Sequence, residues 1–145
     1  MTELERETIK TEISPLMDKM ISSLNNKEWD RSHEDYVNSP DFVAISTGHV
    51  FDYQTYIDGC KAANESLQTL VVTEVSRQYS FIDRNAVILT WKGSMMMESL
   101  DDQKFVADPY AISLLFVKTG DDWVISYSHE SGNILPVVAD DKAVE

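Results

Sequence analysis

The apolar period of this chain of 145 residues changes for good at Leu67. Ahead of that point, apart from the short run Phe42 to Thr47, apolar side chains recur at three- and four-residue steps. Beyond it they alternate with polar ones. A period near 3.6 puts an apolar stripe on a helix, and a period of two puts an apolar face on a strand. Helices gathered at one end of the chain and strands at the other predict an α+β domain, with the helices on one face of an antiparallel sheet.

The first helix is predicted over about Glu3 to Asn25, where Ile9, Ile13, Leu16, Met17, Met20, Ile21 and Leu24 form one stripe. Pro15 falls inside it. Either the helix kinks there, or a new one starts with Ser14 as N-cap and Pro15 at its first position. Asn25-Asn26 ends the helix, and Lys27 to Val37 reads as a shorter one with Trp29, His33, Tyr36 and Val37 on one side. After the turn cluster Asn38-Ser39-Pro40-Asp41, Phe42 to Thr47 reads as an extra strand at the sheet edge. Asp52 is placed to cap a third helix, in which Tyr56, Ile57, Cys60 and Ala63 share a face.

Four long strands follow. From Leu67 to Phe81 the alternation runs through β-forming residues, and Asp83-Arg84-Asn85 reverses the chain into Ala86 to Glu98. Asp101-Asp102 turns it again into Lys104 to Lys118. Pro109 cannot donate to a ladder, so a bulge is expected near Asp108-Pro109. In the last strand, between Gly120 and Gly132, Trp123, Ile125, Tyr127 and His129 alternate with Val124, Ser126, Ser128 and Glu130. One domain is expected over residues 1–132, with 133–145 as a frayed C-terminal tail.

Charge narrows the partners. Twelve Lys and Arg against 25 Asp and Glu give a formal charge of −13, a field that repels phosphate backbones and anionic lipid headgroups. Neither nucleic acid nor a membrane is an expected partner. The single cysteine, Cys60, precludes an intramolecular disulfide and suits a reducing compartment, and the acidic N-terminus has no apolar run. A cytoplasmic protein is expected. His33, His49, His129 and Cys60 show no metal-ligand spacing, so no metal and no cofactor are expected.

The order of these elements, the segment Ser39-Pro40-Asp41-Phe42-Val43-Ala44-Ile45-Ser46, and the ending Asp121-Asp122-Trp123-Val124-Ile125-Ser126-Tyr127-Ser128-His129-Glu130-Ser131-Gly132 resemble the nuclear-transport-factor-2-like superfamily. The nearest resemblances are its SnoaL-like, or polyketide-cyclase-like, branch and the association domain of calcium/calmodulin-dependent kinase. Trp123, Ile125, His129 and Ser131 match the family's Trp-x-Ile-x-x-x-His-x-Ser, and the likeness runs from about Glu3 to Gly132. It implies a cystatin-like fold: a curved antiparallel sheet wrapped around the long N-terminal helix, forming a cone with a pocket at its open end. It also implies a homodimer formed through the sheet, and an anchoring role for His129. The superfamily includes isomerases, dehydratases, cyclases, transport factors and assembly domains, so the likeness points to a fold and not to a reaction. Where the kinase domain carries arginines on pocket strands, this chain has Trp91, Leu114 and Glu130, so an anion-binding pocket is not implied. Tyr127 stands in place of the first histidine of that domain's His-x-His ending.

Under strict alternation, a Glu130 that faces the cone brings Ser126 and Ser128 with it and sends Trp123, Tyr127 and His129 the other way. There Glu130 suits a general acid or base at an apolar pocket mouth; otherwise it is paired or solvated at a strand end. Trp91, Gly93, Met95 and Met97 share a strand face. Trp91 and Met95 read equally as core or as a wall for a flat apolar ligand, and Met97 reads as core. Tyr110, just past the expected bulge, either polarises a carbonyl or packs its ring and bonds a backbone group. The candidate pocket is therefore Trp91, Met95, Leu114, Ser126, Ser128 and Glu130, with Glu130 and Tyr110 as candidate catalytic groups. Cys60 reads as a small buried hydrophobe, and His33 and His49 as structural or exposed. Three functions stay open: a binder of a small apolar or weakly polar molecule; a cofactor-independent isomerase, dehydratase or cyclase, with Glu130 moving a proton while Tyr110 or Ser128 steadies an oxyanion; or an oligomerisation module.

Overall fold

The computed structural model describes residues 1–138, which form three helices and seven strands. Helix α1 spans Glu3–Asn25 and runs through Pro15 without a break. Pro15 lies on its exposed side, where the carbonyl left without a donor is open to water. A capping box starts the helix: Glu5 N–H donates to Thr2 Oγ1 at 3.1 Å, and Thr2 N–H donates to Glu5 Oε2 at 2.6 Å. Ile9, Ile13, Met17 and Met20 carry its buried stripe.

The second helix is much shorter than periodicity predicts. Helix α2 is a single turn, Trp29–Ser32. Beyond it the backbone pairs with the sheet instead: Ile125 N–H donates to Asp35 O at 2.8 Å, and Val37 N–H donates to Ile125 O at 2.9 Å. A helix this short is marginal by itself, whereas the bridge to the sheet buries Tyr36.

Strands β1 (Val43–Ser46) and β2 (His49–Phe51) precede α3 (Tyr53–Glu65), which is capped as expected by Asp52 Oδ1 accepting from Thr55 N–H at 2.8 Å. Then come β3 (Leu67–Asp83), β4 (Ala86–Ser99), β5 (Lys104–Thr119), β6 (Asp122–Ser131) and β7 (Leu135–Pro136). The sheet order is β2-β1-β6-β5-β4-β3, with β7 paired to β5. The long strands form the antiparallel meander. However, β1 is not an edge: it lies between β2 and β6, and it runs parallel to β6, so the sheet is mixed.

The tail also departs from expectation. Where β6 leaves β5 at Ala111, the chain returns so that Leu135 and Pro136 pair with Val106 and Phe105. The remaining tail positions 139–145 lie outside the described residues.

Bulges bend this sheet around α1. One falls where predicted, with Asp108-Pro109 inserted between the pairs Met95–Ala107 and Gly93–Tyr110. Another inserts Ser126 into β6, because Tyr127 pairs with Leu115 and Ile125 with Phe116. The core between α1 and the concave face includes Ile13, Leu89, Leu114, Phe116 and Ile125, all fully buried. Among the described residues no helix is long and apolar enough to cross a membrane.

Candidate functional site

The open end of the cone holds a cavity of about 330 Å³, bounded by α1, α3 and the concave face of the sheet. Met17, Met20, Leu70, Val72 and Ile112 line it, and Trp91, Met95 and Met97 of β4 complete one wall. Met97, which periodicity assigns to the core, lines the cavity because β4 extends past the end of α1's cover. Trp91 is locked in place. Its indole Nε1–H donates to Glu74 Oε1 at 2.7 Å, and its six-membered ring lies over Gly93, where an added Cβ would stand 2.5 Å from it.

The bulge at Ser126 decides which side of β6 reaches the cavity. Before it, Trp123 and Ile125 point inwards; after it, Ser128 and Glu130 do. Strict alternation therefore fails at this point, since one extra residue reverses the facing of everything beyond it. Glu130 lines the cavity, while Ser126 sits at the bulge and off it. Ser128 points inwards but is buried beneath the cavity, and its Oγ has no hydrogen-bond partner among the described residues. Leu114 is also core and not wall: it lies two residues further along β5 than Ile112, where α1 covers the sheet. His129 is exposed and its ring makes no hydrogen bond to the described residues, so it does not anchor the strand.

Three elements converge on the carboxylate of Glu130, which β6 carries. Tyr110 of β5, next to the Asp108-Pro109 bulge, donates its hydroxyl to Glu130 Oε2 at 2.6 Å. Tyr56 of α3 donates to Oε1, and Ser46 Oγ at the end of β1 approaches Oε2 at 3.5 Å. Burial, followed by the charge of Glu130, holds the Tyr110 phenol well above the ordinary tyrosine range. The phenols of Tyr56 and Tyr36 are raised too, with burial again the leading cause. All three keep their protons, and Tyr56 and Tyr110 serve as donors to the carboxylate. Burial and then Glu130's charge push the Cys60 thiol up to about 12, which leaves it unreactive at neutral pH.

His33 borders the same cavity, its ring 5.0 Å from Tyr36 and 6.0 Å from Tyr56 between centroids. Burial lowers its pKa to about 4, so it is neutral. Ser32 Oγ donates its one proton to the Trp29 carbonyl at 3.0 Å. His33 Nδ1 lies 2.8 Å from Ser32 Oγ, within hydrogen-bond distance. Among the described residues no three His, Cys, Asp or Glu side chains come together as a metal site.

Several solved structures share this architecture. The hexachlorocyclohexane dehydrochlorinase LinA-type3 of Novosphingobium barchaimii superposes with a TM-score of 0.75 at 10% identity, covering 96% of this chain and 97% of that one. A nuclear-transport-factor-2-like superfamily protein of Salmonella enterica gives 0.76 at 14% identity, over 88% and 92%. A nuclear-transport-factor-2-like protein of unknown function from Shewanella oneidensis gives 0.64 at 21% identity, over 84% and 98%. Identities this low establish a common fold and nothing finer. No curated protein matches the chain. The family of SnoaL-like domains matches residues 13–136. This chain is a SnoaL-like domain.

Within this SnoaL-like domain, sequence reasoning found Glu130, Tyr110, Trp91 and Met95, which the fold brings to one cavity. It missed Tyr36, Tyr56, His33 and Ser46 as site residues. One signal was there: Tyr56, Cys60 and Ala63 recur at helical spacing on the face of α3 that meets the cavity. Tyr36 and His33 shared one side of the predicted second helix, but their turn towards the cavity depends on α2 ending after one turn.

Proposed function

We propose that the SnoaL-like cone takes up one small, largely apolar molecule and docks its polar end at Glu130. The observation that carries this reading is a single carboxylate, held by a phenol on each oxygen, set in the wall of a mainly apolar cavity of about 330 Å³. That volume lies at the small end of the usual range for ligand sites. Titration with Nile red, a neutral apolar dye, tests it. The expected result is saturable one-to-one binding that quenches tryptophan emission, with the quench lost in Trp91→Phe and kept in Trp29→Phe. No saturable binding, or an unchanged quench in Trp91→Phe, would overturn the reading.

A second reading is cofactor-independent acid–base chemistry of the isomerase, dehydratase or cyclase type. The 2.6 Å contact between Tyr110 and Glu130 favours it. Glu130 would accept a proton from carbon beside a carbonyl, and Tyr110 would turn its hydroxyl to the developing oxyanion. Ser128 has no part in it, since its hydroxyl lies off the cavity. Deuterium uptake beside the carbonyl of 4-phenylbutan-2-one in D2O, lost in Glu130→Gln, is the expected result; equal uptake by the two proteins would remove Glu130 from the reaction. Pure assembly is the weakest reading, because the cone is not filled. A homodimer through the convex face goes with the leading reading: Val43, Ile45, Leu115, Val117 and Tyr127 point outwards there and stay partly exposed. A monomer in light scattering at micromolar concentration would refute it.

A further inference from the structure

The charges around the cavity are one-sided. Among the described residues its lining contains no lysine and no arginine, and Glu130 is the one carboxylate in it. His33, the other ionisable base there, is neutral at physiological pH and supplies no countercharge. Glu130 forms no ion pair among the described residues, although ten ion pairs are made elsewhere on the molecule.

The protons around Glu130 are equally one-sided. Tyr56 and Tyr110 both turn theirs to the carboxylate. The Trp91 indole proton goes outwards to Glu74. What Glu130, Tyr56 and Tyr110 leave for a ligand is acceptor capacity: the free lone pairs of the carboxylate and of the two phenol oxygens.

A ligand that fills the cavity strips water from this corner, and its own end group must replace what the water supplied. An anionic end would meet the carboxylate with no cation to offset it. An ether or ketone brings another acceptor and leaves the carboxylate desolvated without a donor, a costly arrangement. A hydroxyl brings one donor. An ammonium brings three donors, no acceptor and the missing countercharge. The rings of Tyr36, Tyr56, Tyr110, Trp91 and His33 border the same space, and aromatic surroundings favour a cation. The net charge of −13 draws cations towards the protein from solution.

Building on the pocket reading above, we propose that the ligand class of this cavity is a hydrophobic amine, its ammonium at Glu130 and its apolar body against Trp91, Met95 and the methionines of α1. The test is isothermal titration at pH 7 and low salt with three matched probes: 4-phenylbutylamine, 4-phenylbutan-1-ol and 4-phenylbutyrate. The amine, with a pKa near that of lysine, about 10, is protonated throughout. The amine is expected to bind about tenfold or more tighter than the alcohol, as one charge-assisted contact implies, and the carboxylate to give no binding. In Glu130→Gln, checked for folding by its thermal melt, the amine should lose that advantage and bind no tighter than the alcohol binds the same variant. Alcohol or carboxylate binding as tightly as the amine would overturn the amine assignment and leave the pocket reading standing. An amine preference that survives in folded Glu130→Gln would also overturn it. Failure of all three probes to bind would refute both. If the variant does not fold, the ranking in the unaltered protein decides.

Discussion

The same substitution, glycine to alanine, should have opposite effects at two positions of this chain. Gly93 is buried in the middle of β4, and a Cβ placed there would stand 2.1 Å from the Thr73 carbonyl oxygen, 2.5 Å and 2.7 Å from two ring atoms of Trp91. The carbonyl belongs to the neighbouring strand and cannot swing aside. Trp91 is held from its other end by Glu74. Both neighbours resist, so Gly93→Ala should cost about 3 kcal/mol, the upper end of what overpacking does. Gly59, inside α3, has nothing within 4 Å of where its Cβ would be. There alanine should stabilise by up to about 1 kcal/mol through helix propensity and a less flexible unfolded chain. At roughly 2 cal/mol/K of unfolding entropy per residue, 145 residues give about 0.3 kcal/mol/K. The melting temperature should therefore fall by about 10 °C in one variant and rise by about 3 °C in the other. Urea unfolding followed by far-UV circular dichroism and tryptophan emission measures both. A Gly93→Ala protein within about 0.5 kcal/mol of the original, the scatter of surface substitutions, would refute the packing argument. So would a shift of the same sign in the two.

Tyr110→Phe removes the 2.6 Å donor from Glu130 Oε2 and leaves only the 3.5 Å approach of Ser46. Stability should drop by about 1.5–3 kcal/mol, the worth of a hydrogen bond to a charged group, and no loss in urea unfolding would show that water replaces the phenol. His33 makes stability depend on pH. Its pKa is about 4 when folded and near 6.5 when unfolded, so the unfolded chain binds more protons between those values. Stability should rise with pH through that window and be lost as pH falls from about 6.5 to 4, by about 3 kcal/mol in all. His33→Gln should flatten the slope between pH 6.5 and 4.5, and equal slopes in both proteins would refute the assignment. Glu74→Leu strands the partly buried Trp91 indole N–H. It should cost about 1–3 kcal/mol and lower the anisotropy of tryptophan emission; unchanged anisotropy would mean that Gly93 alone seats the ring.

Local patterns predicted most of the elements because each depends on near neighbours. The stripe from Ile9 to Leu24 runs along α1, the Asp52 cap forms, and Pro109 marks a bulge. Each of these is a statement about side chains three or four positions apart, or about one missing N–H. The same reasoning failed at Lys27 to Val37, where a helical pattern competes with a backbone bridge to Ile125 some 90 positions later. It failed again in ranking Met97 as core and Leu114 as wall, since the difference lies in where α1 stops covering the sheet.

The sequence by itself determined an α+β cone of the nuclear-transport-factor-2-like kind and an acidic surface. It also identified a carboxylate and a tyrosine, Glu130 and Tyr110, as groups to follow. Only the tertiary structure decided that these two meet. Their contact depends on two bulges, at Asp108-Pro109 and at Ser126, and the second reverses the facing of β6 between Ile125 and Ser128. A bulge is a count of residues on one strand against its partner, and no single strand carries that count. Tyr56 and Ser46 reach the same carboxylate from α3 and β1, 74 and 84 positions away. Helical and strand periods act over a few residues, so contacts at that separation exist only once the sheet has closed around α1.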